Sequence, residues 1–73
     1  MMARIISLER THKDIKANTS IVADYDMDDR YFSLWSYRQG DLERTKGGSQ
    51  NMQFDKEMAR KLRDALNQFL MER

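Results

Sequence analysis

The chain has 73 residues, enough for one small domain spanning 1–73 and no more. Lys and Arg number 13 against 12 Asp and Glu, a formal charge of +1, which is not the clearly basic balance typical of nucleic-acid-binding domains. Cysteine is absent and His12 is the only histidine, so disulfides and thiolate metal sites are excluded and a histidine-based zinc site lacks ligands.

Residues 4–10, "RIISLER", read as a first strand, with Ile6 and Leu8 on one side and Ile5 and Ser7 on the other. Residues 11–18 are polar and read as a turn or connecting loop. His12 falls there and is expected to be an exposed loop residue. Asn18-Thr19-Ser20 matches a glycosylation sequon, but such matches arise by chance, and no secretory signal is expected at the N-terminus. Residues 20–27 read as a second strand, with Ile21, Ala23, Tyr25 and Met27 on one face and Val22, Asp24 and Asp26 on the other. Asp28 and Asp29 supply a tight turn.

The third strand, "YFSLWSYR", is apolar on both faces: Phe32 and Leu34 on one, Tyr31, Trp35 and Tyr37 with Ser33 on the other. Residues 39–50 hold all three glycines and read as a loop, with "KGGSQ" as a flexible hairpin turn. Lysine precedes those glycines, so the Walker phosphate-loop pattern is not met. Residues 51–54 form a short fourth strand with Met52 and Phe54 on one face. Asp55 is a good N-cap for a helix, and Met58, Leu62, Ala65, Leu66, Phe69 and Leu70 recur at helical spacing as one apolar stripe. The expected fold is α+β: a four-stranded antiparallel meander followed by one C-terminal amphipathic helix packed on it, ββββα.

One helix covers one face of a sheet. Either Phe32 and Leu34 or the Tyr31–Trp35–Tyr37 row is therefore left for solvent, a ligand or another chain. An exposed aromatic row is a stacking platform for single-stranded nucleic acid, and Arg30, Arg38, Arg44 and Lys46 flank it as phosphate partners. The same rings also suit burial against another protein chain or a second copy of the sheet. Asp24 and Asp26 count against phosphate on that face. The acidic run 24–29 lacks the central glycine and final glutamate of a helix-loop-helix calcium loop, and no base, nucleophile or pocket accompanies its carboxylates.

The segments "YFSLWSYRQGDLERTKGG" and "MQFDKEMARKLRDAL" resemble the third strand with its basic loop, and the last strand running into a capped helix, of the positive cofactor four family of single-stranded-DNA-binding domains. The resemblance runs from about residue 4 to residue 70, chiefly as topology. It implies four strands and a helix, dimerisation through the helix, and single strands laid across Trp35, Tyr37, Arg38, Arg44 and Lys46. The same plan is compatible with small phage-type proteins.

The resulting expectation is a non-enzymatic binding module without cofactor or metal. Its binding residues are Tyr31, Trp35, Tyr37, Arg38, Arg44 and Lys46. Its partners are single-stranded nucleic acid or protein. A chain this short buries little of its own surface, so a homo-oligomer, with a dimer favoured, is expected to supply the missing stability. No apolar run approaches the ~20 residues of a membrane span, and a cytoplasmic location is expected.

Overall fold

The computed structural model describes residues 2–16, 19–46 and 50–71. Its elements in chain order are β1 (Met2–Arg4), β2 (Ala23–Met27), β3 (Phe32–Ser36), β4 (Gln50–Phe54) and α1 (Lys56–Met71). This is the expected α+β order, ββββα. The sequon residue Asn18 and the Gly47–Gly48 turn lie outside the described residues.

The sheet is mixed rather than purely antiparallel. Its strand order is β1-β4-β3-β2, so β1 sits beside β4, not beside β2. β2 pairs with β3, and β3 with β4, antiparallel; β1 pairs with β4 in parallel, Met2 opposite Asn51 and Arg4 opposite Gln53. A tight hairpin forces antiparallel pairing only on strands it joins directly. Asp28 makes that hairpin for β2 and β3: its Oδ1 accepts the amides of Arg30 and Tyr31 at 2.8 Å each, and its own amide donates to the Tyr31 carbonyl. β1 and β2 are instead separated by residues 5–22, a connection long enough to carry the chain across to the far edge.

The first strand is also shorter and earlier than the alternation at residues 4–10 suggests. Pairing continues one step past Arg4, where the Ile5 amide donates to the Gln53 carbonyl at 2.8 Å. Then β4 ends at Phe54 and turns into α1, so residues 6–10 have no strand to pair with. Leu8, Glu9 and Arg10 line a groove of about 330 Å³ against Leu62, Ala65 and Phe69 of the helix instead.

The helix starts where its cap predicts. Asp55 Oδ1 accepts the Met58 amide at 2.9 Å, and the Asp55 carbonyl accepts the Ala59 amide at 2.8 Å. The packing beyond the first turns departs from expectation. Met58 is buried and Leu62 half-buried, but Leu66, Phe69 and Leu70 are exposed, and β4 is the strand α1 chiefly packs against. The helix therefore covers the end of the sheet near Phe54, not a whole face. Among the described residues Phe54 and Met58 are the buried apolar side chains, each 5% exposed. The molecule is correspondingly flat, 34 × 33 × 18 Å.

Candidate functional site

The register assigns every side chain of the sheet to a face. On one face lie Ala3, Ala23, Tyr25, Met27, Phe32, Leu34, Ser36, Gln50, Met52 and Phe54. It carries no charged residue. Tyr25 stacks on Phe32 with ring centroids 5.6 Å apart, and Phe32 meets Phe54 at 6.2 Å. Tyr25 is nonetheless 67% exposed and Met27 60%.

The opposite face holds Met2, Arg4, Asp24, Asp26, Ser33, Trp35, Asn51 and Gln53. At its centre Asn51 is buried, with its polar atoms satisfied: Nδ2 donates to Ser33 Oγ at 2.7 Å and to the Leu34 carbonyl at 3.3 Å, and Oδ1 accepts from Gln53 Nε2 at 2.9 Å. Beside this network Tyr31, Ser33, Trp35, Gln53 and Asp26 line a shallow concavity of about 260 Å³. Tyr31 and Trp35 are thus brought together, both half-buried.

Tyr37 and Arg44 belong to a second cluster on the same side. Tyr37 Oη donates to Asp24 Oδ2 at 2.9 Å, and Arg44 Nε donates to Asp24 Oδ1 at 2.7 Å. The Arg44 guanidinium carbon lies 5.9 Å from the centroid of the Tyr37 ring. The Arg44 hydrogen bond, then that of Tyr37, holds the Asp24 carboxyl below its ordinary value; the hydrogen bond to Asp24 raises the Tyr37 phenol.

The loop after β3 is built to place Arg44. Asp41 is buried, and its Oδ1 accepts the amide and hydroxyl of Thr45 while Oδ2 accepts the Lys46 amide. The Thr45 amide is the main reason the Asp41 carboxyl titrates below its usual range. Gly40 takes a left-handed φ of 88°, and Arg44 itself stands at φ 60°, uncommon for a side chain of its size. Arg38 and Lys46 are exposed; the Arg38 carbonyl accepts the Asp41 amide. Of the six expected binding residues, two line the concavity, two form the Asp24 cluster, and two stand in the loop.

Residue order alone does not mark Asp24, Asp41, Asn51 or Gln53 as organising residues. For Asp41 a signal exists, an aspartate in a glycine-bounded loop with a threonine four residues on. Asn51 offers none, because its partners Ser33 and Leu34 lie on another strand. Among the described residues no group of three His, Cys, Asp or Glu is placed to hold a metal ion, and no helix is long and apolar enough to cross a membrane. Compared with protein-family models, with curated proteins and with solved structures, the chain matches none of them.

Proposed function

We propose that this chain is a non-catalytic interaction module that works as a homo-oligomer, with a dimer as its smallest closed form. The carrying observation is its surface. The chain exposes 6802 Å². A compact monomer of 8.7 kDa exposes about 4,700 Å². The excess of roughly 2,000 Å² exceeds the ~800 Å² that a standard interface takes from each partner. The radius of gyration, 13.8 Å, against about 11 Å for a compact chain of this length, says the same. The lack of cysteine in so small a domain fits a reducing, cytosolic setting.

Charge insertion on the helix tests this. Leu66→Glu and Phe69→Glu alter side chains that are 49% and 70% exposed in the isolated chain. A monomer tolerates both without a change in size. The oligomer reading expects both variants to sediment more slowly than the parent, and an unchanged sedimentation coefficient contradicts it.

A second reading, single-stranded nucleic acid on the Trp35 face, is favoured by one observation. Of the two carboxylates that count against phosphate, Asp24 is taken up by Arg44 and Tyr37 while Asp26 still lines the concavity, and Arg38 and Lys46 in the loop after β3 are exposed. Trp35 is the only tryptophan, so its fluorescence reports the face. Stacking expects quenching by oligonucleotides at low salt, with affinity falling as salt rises. Unquenched emission at low salt removes this reading.

A further inference from the structure

We infer that the concavity on the Trp35 face takes a guanidinium group, the end of an arginine side chain presented by a partner polypeptide. The site uses neither α1 nor the uncharged sheet face, and it stands apart from the homo-oligomer reading. Its walls, its acceptors, its charge and its size all point to that ligand.

Tyr31 and Trp35 form the walls. They lie four residues apart, about 13 Å along an extended chain, with Ser33 between them. Neither ring touches another ring among the described residues, so both ring faces are open to a ligand. A cation over an aromatic face is attracted by it, and a planar guanidinium also stacks there.

The acceptors come from the register, which sets Asp26, Ser33 and Gln53 side by side across β2, β3 and β4. Asp26 and Gln53 are two strand spacings apart, about 10 Å. Asp26 Oδ1 accepts the Met27 amide at 2.8 Å, and Oδ2 has no partner among the described residues. Gln53 gives its Nε2 to Asn51, which leaves Oε1 uncommitted. A guanidinium has five donors in a fixed fork and serves both oxygens at once. A quaternary ammonium has no donor and leaves both bare.

The charge has one sign. Among the described residues two carboxylates, Asp26 and Asp28, line the concavity, and no basic side chain does. Asp28 Oδ1 holds the Arg30 and Tyr31 amides, and Arg30 and Lys56 act on its charge, so Asp26 is the anion left for a ligand. The other charges of this face lie outside: Asp24 is paired with Arg44, and Arg4 stands beyond Gln53 on the edge strand β1. Such a hollow attracts a cation and repels a phosphate backbone. At about 260 Å³ it is smaller than the ~300–1,000 Å³ of sites that enclose a whole small molecule. It fits a side-chain end, with the methylenes behind it packing along Trp35.

Trp35, the only tryptophan, reports the site by its fluorescence. The probe is a blocked pentapeptide with one arginine between glycines, set against matched peptides carrying lysine or the uncharged isostere citrulline. The arginine peptide is expected to change the Trp35 emission saturably at millimolar concentration. The lysine peptide is expected to bind several-fold more weakly and the citrulline peptide not at all. Asp26→Asn keeps an oxygen for the Met27 amide and removes the charge; it is expected to weaken the arginine peptide roughly five- to ten-fold with unchanged circular dichroism. A folded parent that does not respond, a lysine or citrulline peptide that binds as tightly, or a folded Asp26→Asn variant without effect overturns the site. Methylguanidinium binding as tightly as the peptide overturns the polypeptide partner. An oligothymidylate that quenches Trp35 and displaces the arginine peptide puts nucleic acid on this face and overturns the inference. None of these outcomes bears on the mass of the particle, so the homo-oligomer reading stands or falls separately, by sedimentation.

Discussion

Replacing Asn51 by alanine probes whether the Trp35 face is held by its buried amide. The substitution removes the bonds to Ser33 Oγ, to Gln53 Nε2 and to the Leu34 carbonyl. A hydrogen bond contributes about 0.5–1.5 kcal/mol net, and the 3.3 Å bond to a carbonyl least of the three. Ser33 and Gln53 are half-buried, so water reaches their freed groups and limits the penalty. The sum is about 2 kcal/mol. For a domain of this size that lowers Tm by roughly 10 °C, at fixed protein concentration because the chain is held to associate. Gln53→Ala loses one of these bonds and costs about 1 kcal/mol. The double variant costs less than the sum of the two, because the bond they share is lost once. Thermal melts followed by circular dichroism measure all three. An Asn51→Ala variant melting within about 2 °C of the parent, or strict additivity in the cycle, refutes the network.

Further outcomes follow from the same geometry. Asp24, Asp28 and Asp41 all titrate below their ordinary value of 3.8 in the folded chain, so their contributions are complete above that value and are lost as pH falls through the lower folded values. Denaturant midpoints should therefore hold from neutral pH down to about 5 and fall below 4, and Asp41→Asn should flatten the fall; an unchanged profile in that variant contradicts the loop assignment. Tyr37 titrates above 10.0, chiefly through its bond to Asp24, so that contribution is present below pH 10 and fades as pH rises through the folded value. NMR of ring-labelled tyrosine should show the Tyr37 midpoint dropping toward the ordinary value in Asp24→Asn, and a midpoint that stays put sinks the contact.

How much of this was legible from residue order differs from element to element. The helix start was, because Asp55 is a local cap and the bond it makes reaches only three residues. The two faces of β2 and β3 were, because alternation fixes them once the hairpin at Asp28 fixes the register. β1 was not: three residues carry no period, and the pairing of Met2 with Asn51 joins positions about two thirds of the chain apart. The Arg44–Asp24 pair was hidden for the same reason, since it depends on a loop conformation that Asp41 sets from within. The stripe on α1 was plain, but periodicity reports only that a helix has an apolar face, not what lies against it. A helix read as the cover of its own sheet instead ends with Phe69 70% exposed.

That exposure makes the mass of the particle in solution the most direct test. Sedimentation equilibrium of the unmodified chain is expected to return twice the 8.7 kDa chain mass at micromolar concentration, moving toward the monomer on dilution. A mass of 8.7 kDa at every concentration would leave the uncharged sheet face and the α1 stripe open to water, and would contradict the account.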